Sequence, residues 1–169
     1  VPDKTIDVVL DTDAYNEIDD QFAISYLLKS KEKLNTKAIY AAPFLNMKSE
    51  SPEDGMEKSY DEINKLLSLL NEKVDVFKGS KTYLKDEKTP VISPAAQDLA
   101  ERVKNYSPEN PLYVVAIGAI TNIASAILPT IQAFVSVSPP KVIARRILSS
   151  NVVELNKEYK HLSIVSLQV

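Results

Sequence analysis

The chain has no cysteine and no tryptophan, and only three glycines and one histidine among 169 residues. Without cysteine there are no disulfides, no thiolate zinc sites and no Cys nucleophile, and the redox compartment is left undetermined. Three widely spaced glycines cannot form a dinucleotide fingerprint or a phosphate-cradling loop, so nicotinamide cofactors and nucleoside triphosphates drop out. Positive charge is not in excess either. The net charge is -3, the pI is near 5.3 and the lysines are scattered among acids, so nucleic acid has no electrostatic footprint. No apolar run reaches membrane-spanning length, and no membrane partner is expected. The sequence starts at Val1 without an initiator Met, which leaves a removed leader open and the compartment, cytoplasm included, undecided. Aspartate is unevenly spread, with none after Asp98.

The acids that are present converge on one stretch. Ile6, Val8, Val9 and Leu10 form a short, nearly continuous apolar run, the pattern of a strand buried on both faces. Asp11, Asp13, Glu17, Asp19 and Asp20 follow, and then Phe22, Ala23, Tyr26 and Leu27 recur at helical spacing. The acids therefore belong at a strand's carboxyl end, the edge where open α/β sheets bind ligands. Like charges crowded there repel unless a proton or a cation neutralises them, which points to a hard, oxygen-liganded metal such as Ca²⁺ or Mg²⁺. Asp19 and Asp20 also suit a helix start, but capping leaves Asp11 and Asp13 unexplained.

Downstream, strand and helix signals alternate. Leu34 to Lys37 is too mixed to assign, Ala38 to Ala42 reads as a strand, and Phe44 to Asp54 as a loop on the acid edge. Ser51-Pro52 opens a helix that Asn71 stops, Val74 to Phe77 is a third strand, and Ser93-Pro94 opens the next helix. Leu112 to Ile117 is a further strand, and Gly118 to Asn122 turns it into a helix over 123–128. This alternation predicts an α/β fold with a mainly parallel open sheet and helices on both faces. The length suits one domain, with residues 1–128 as the α/β core and 129–169 as a tail of different character within it. In the tail, Phe134 to Ser138 reads as a strand, Val142 to Leu148 as a helix and Ile164 to Val169 as an edge strand.

Asp11-x-Asp13 followed by Asp19-Asp20 after the first strand resembles the N-terminal signature of the nucleoside hydrolase family, here with a longer spacer, Ala14 to Ile18. Pro111 to Leu128 is similar to that family's strand-Gly-x-x-Thr-Asn-x-Ala segment, so the resemblance covers about three quarters of the chain. It implies a Rossmann-like core and calcium-dependent hydrolysis of the N-glycosidic bond of ribonucleosides. By the resemblance Asp13 is the general base and a ligand of Ca²⁺, Asp20 a bidentate ligand and the Thr121 carbonyl a further ligand. Asp19 binds ribose hydroxyls, Asn46 is a candidate for the ribose-binding Asn after the second strand, and Asp11 is an additional site acid. The implied partner is a small nucleoside or ribosyl substrate, with homo-oligomerisation left open. The family's late Asp has no counterpart, and His161 precedes Leu162 where the family's late histidine precedes Asp. The resemblance therefore implies only the first part of a whole family domain, with activity below that of a full-length relative.

Two other readings compete. A strand ending Asp-x-Asp also suits a haloacid dehalogenase-like phosphohydrolase using Mg²⁺, although Tyr15 stands where that superfamily prefers Thr or Val and Asp19-Asp20 would be unexplained. A non-enzymatic ribose-binding domain or partial subunit is the third. Tyr15, Tyr60 and Tyr83 are candidates to stack on a base, and Thr121-Asn122 equally suits a helix cap.

Overall fold

The computed structural model describes residues 4–128 and, for backbone only, the strands 143–146 and 162–166. The elements run β1 (Ile6–Thr12), α1 (Ile18–Lys29), β2 (Leu34–Ala41), α2 (Pro52–Leu70), β3 (Asp75–Lys78), α3 (Pro94–Arg102), β4 (Leu112–Ala116), α4 (Thr121–Ile127), β5 (Ile143–Arg146) and β6 (Leu162–Ser166). They build an α/β fold around one sheet of order β3-β2-β1-β4-β6-β5, and every neighbouring pair is parallel. β2 and β3 extend to one side of β1 while β4 lies on the other. The strand order thus reverses between β1 and β4, and a crevice opens at their carboxyl ends.

Helices cover both faces, and the two-residue period of the strands assigns side chains between them. Val8, Leu10, Ile39 and Ala41 pack with Ile24, Leu28, Met56 and Ile63 of α1 and α2. Val9, Ala38, Tyr40, Leu112 and Val114 pack with Ala96, Leu99, Ile123 and Ala126 of α3 and α4. The buried Tyr40 hydroxyl is satisfied by Asp98, to which it donates at 2.6 Å, while Arg102 grips both oxygens of the same carboxylate at 2.9 Å. Helix ends follow the sequence signals. Ser51 Oγ accepts from the Asp54 amide at 3.1 Å, Ser93 Oγ accepts from Ala96 at 3.2 Å, and Asn71 ends α2 in the left-handed region at φ 53°. Among the described residues no helix is long and apolar enough to cross a membrane.

One unassigned stretch takes a state here and three sequence expectations are corrected. Residues 34–37 are strand, because pairing of Ile6 with Leu34 and of Val8 with Thr36 overrides weak local propensity. α1 turns a different face inward: Asp20, Ile24, Leu27 and Leu28 are buried, whereas Phe22 and Tyr26 are exposed. A helix that carries Asp20 inward must turn Phe22 about 200° away, at about 100° per residue. The segment 143–146 is strand β5 rather than helix, since its backbone pairs in parallel with β6. β6 itself lies between β4 and β5 and is not an edge strand. The expected strand Phe134 to Ser138 and His161 lie outside the described residues.

Candidate active site

β1 runs two residues further than its apolar run and carries Asp11 and Thr12 inside the sheet. Asp11 is 0% exposed, its amide and carbonyl stay in the ladder, and its carbonyl accepts from Ile117 at the end of β4 at 2.9 Å. Its side chain meets Asn122 of α4, whose Nδ2 donates to Asp11 Oδ1 at 2.8 Å and to the Ala41 carbonyl at 3.2 Å. Asn122 Oδ1 accepts from the amide of Ser80 at 2.7 Å and from its hydroxyl at 2.9 Å. One buried amide thereby ties the carboxyl ends of β1 and β2, the segment after β3, and α4. Gly79 permits this, because a Cβ there would strike the Ala41 carbonyl and the Asn122 amide. Thr121 and Asn122 therefore do not cap α4. Its N-cap is Ile120, which offers no side-chain bond, while Thr121 is buried as the first helical residue.

Asp11 Oδ2 has no hydrogen-bond partner, and neither does Thr12 Oγ1. Burial pushes the Asp11 carboxyl up to about 7, against the lowering effect of the Asn122 bond and with a further rise from the charge on Asp13. Asp13 leaves the strand and is buried beside Asp20, which the first turn of α1 brings inward. Asp20 is raised well above the ordinary carboxylate range, first by burial, then by the adjacent Asp13 carboxylate, which is close enough to accept its proton, and then by the charge on Asp19. The nearby Thr12 hydroxyl offsets this in part without forming a well-aligned bond. Asp13 Oδ1 lies against Gly118 in the β4–α4 connection, where a Cβ would come within 2.6 Å of it. Asp13 Oδ2 accepts from Asn16 Nδ2 at 2.9 Å.

The structure thus brings Asp11, Asp13 and Asp20 together at the reversal point of the strand order. Asp19 sits on the same turn of α1 but faces solvent. Asn46 is exposed on the β2–α2 loop, and its Nδ2 donates to Asn16 Oδ1 at 2.5 Å. Around the acids the loops leave Tyr15, Leu45, Met47, Tyr83 and Ile120 uncovered. The Tyr83 pKa is raised by burial and by the charge on Asp13, which puts this tyrosine within electrostatic reach of the acids. Tyr60 lies elsewhere: it is half-buried against the α1–α2 core with the Lys78 ammonium 5.0 Å from its ring centroid. A cavity of about 670 Å³ at the opposite edge, lined by Thr36, Lys37, Asn64, Asp75 and Arg102 among others, touches none of these acids.

Three residues were given no site role from the sequence: Asn16, in the spacer between the acids, and Gly118 and Asn122, in the Gly-x-x-Thr-Asn segment. Their signal was small residues and amides in connections that follow strands, which becomes specific only once those connections share one edge. Asn122→Ala is expected to lower stability by about 3 kcal/mol, the cost of leaving buried partners such as Asp11 Oδ1 and the Ser80 amide unpaired. Denaturant unfolding measures it, and a loss below about 1 kcal/mol would show the hub to be dispensable.

Among the described residues no three Asp, Glu or His side chains gather closely enough to hold a metal by themselves. A cation here would rest on two carboxylates, Asp13 and Asp20, with neutral oxygens completing its shell. That donor set fits Ca²⁺, which accepts carbonyls and waters, and does not fit zinc. No family model matches the sequence, and no curated protein matches it either.

Proposed function

We propose that this chain hydrolyses the N-glycosidic bond of ribonucleosides, with Asp13 as general base and Ca²⁺ as the metal. The observation that supports the reading most is the pairing of buried Asp13 with Asp20 at the strand-order reversal, under a rim of uncovered apolar side chains. An acid floor beneath an apolar rim suits a ligand with hydroxyls at one end and a flat, weakly polar group at the other, which describes a nucleoside. Asp13 takes a proton from water as the water oxygen bonds to the anomeric carbon; the carbon–nitrogen bond breaks with its electron pair leaving on the base. Asp20 and the Thr121 carbonyl would hold the cation together with Asp13, and a cation bound there would supply orientation of the water and a lowered water pKa. Asp19, exposed at the start of α1, accepts hydrogen bonds from ribose hydroxyls and favours the positive charge that develops on the sugar.

The phosphohydrolase reading requires Asp11 as nucleophile. Asp11 is fully buried and its Oδ1 is held by Asn122, so a phosphoryl group has no approach to it. A ribose-binding role without turnover would use the same floor. Ribose release from inosine, uridine and p-nitrophenyl riboside in excess Ca²⁺ separates the readings. Release that stops with a chelator supports hydrolysis, nucleoside binding without release supports the binding role, and phosphate release from phosphomonoesters would overturn both.

A further inference from the structure

The hydrogen bonds that end on Asp13 begin in a different loop. The Asn16 amide closes a turn onto the Asp13 carbonyl at 2.7 Å, which brings the Asn16 side chain back to Asp13 Oδ2 at 2.9 Å. Asn16 Oδ1 accepts from Asn46 Nδ2, and Asn46 Oδ1 accepts from the Lys48 amide at 2.8 Å. Lys48 Nζ donates to the Asn16 carbonyl at 2.5 Å, pinning the same residue from its backbone side. Ser49 fixes the loop by donating to the Phe44 carbonyl at 3.1 Å and accepting from the Asn46 amide at 3.2 Å.

Every donor in the series Lys48 N, Asn46 Nδ2, Asn16 Nδ2 points the same way, toward the carboxylate. Each carboxamide accepts through its oxygen and donates through its nitrogen, which suits both positions; an ionised Asp at either has no donor and would break the series. Bonds aligned in one sense polarise one another and strengthen at the charged end. The terminal torsion of an Asp is broad and would leave the carboxylate free to rotate. Here Oδ1 is confined by Gly118 and Oδ2 is held by Asn16.

Resting on the reading of Asp13 as the base, we propose that Asn16 is a positioning residue for Asp13, held in turn by Asn46 and Lys48. The β2–α2 loop then aims the base through this chain, and Asn46 acts through Asn16 instead of binding ribose.

The test compares Asn16→Asp, which keeps shape and turn preference but removes the donor, and Asn46→Ala with the unaltered protein on p-nitrophenyl riboside in saturating Ca²⁺. Misaiming a reacting group by a fraction of its working distance costs on the order of 10²-fold, so kcat of Asn16→Asp should fall by about 10²-fold. Its KM should stay within about threefold, because the lost contact is not to substrate. Asn46→Ala should lose about tenfold in kcat with the same constancy of KM. A rise in KM at constant kcat for Asn46→Ala would make Asn46 a substrate ligand and overturn its assignment. An unchanged kcat for Asn16→Asp would overturn the proposal as a whole. A second readout stands apart from activity. In the metal-free, ¹⁵N-labelled protein the Asn16 side-chain amide resonance should shift on Asp13→Asn and on Asn46→Ala. Its indifference to both would overturn the chain of bonds. Absence of ribose release by the unaltered protein would instead overturn the reading of Asp13 as base, with the resonance still deciding whether the chain exists.

Discussion

Asp13→Asn is expected to abolish ribose release, and added calcium is not expected to restore it. The substitution keeps the shape of the side chain and its place between Gly118 and Asn16 but removes the carboxylate that the proposed reading makes the base. A positioned base contributes about 10²–10⁴-fold, so a loss of at least about 10³-fold in kcat is expected once the damage to cation binding is included. Asp20→Asn should behave differently, because a ligand acts through occupancy. With two carboxylates at the cation, removing one halves the formal charge and weakens binding. Mass action then allows recovery as calcium rises. A calcium series on both variants decides between the roles. Recovery of Asp13→Asn to near the unaltered rate would remove Asp13 from the role of base, and identical calcium responses would show that the two residues share one function.

The distinction depends on placement that the sequence carried only in part. The strand-to-helix handover at Asp11 to Asp20 was legible because apolar run, acids and amphipathic run follow one another directly. The helix starts at Ser51-Pro52 and Ser93-Pro94 were legible for the same reason: a cap and a proline at the first helical position act locally. What local patterns could not supply was rotation. Phe22 and Tyr26 carry the larger apolar payload of α1 and were expected inside. Asp20 and Ile24 point inward, and the two aromatics lie in solvent. Burial of a charged side chain against burial of aromatic ones is a choice made by the whole site, and α1 alone does not encode it.

Asp11 is the counterpart of that error. As one of two acids in an Asp-x-Asp pair it was placed in a cluster of like charges at the strand's carboxyl end, yet it lies within β1, on the Val9 face that meets α4, while Asp13 lies past the strand's end beside Asp20. Its pairing partner Asn122 lies far away in sequence, beyond any window in which spacing is informative, and Gly79 mattered only because the Ala41 carbonyl and Asn122 converge on it. Residues 143–146 illustrate the same limit: a short stretch without strong period took its state from the neighbouring strand. The proposed base, one of the metal ligands and one of the ribose contacts were expected within the handover; Asn122, which ties its buried acid to α4, was not.

In the metal-free protein, Asp11→Asn is expected to raise stability at pH 8 and to change it little at pH 4. Burial lifts the Asp11 carboxyl from 3.8 to about 7 in the folded chain. Between those values the folded protein holds a proton that the unfolded chain has released. The contribution of this group to stability is therefore greatest below about pH 4, falls as pH rises through the window, and changes no further above about pH 7. At 1.36 kcal/mol per unit the full swing has a ceiling of about 4 kcal/mol. Asparagine removes the swing, since its amide oxygen can still accept from Asn122 and it carries no charge. Its NH₂ group takes the place of Oδ2, where the protonated carboxyl of the folded chain at pH 4 already holds an O–H without a partner, so the two side chains differ little there. The expected difference therefore grows from little at pH 4 to a gain of as much as about 4 kcal/mol at pH 8, so the two stability curves should separate as pH rises. Urea unfolding in the presence of chelator across pH 4–8 checks this, and Asp13 and Asp20, present in both proteins, largely cancel from the difference. Parallel curves would mean that Asp11 stays ionised in the folded protein throughout, and that some counter-charge reaches Oδ2.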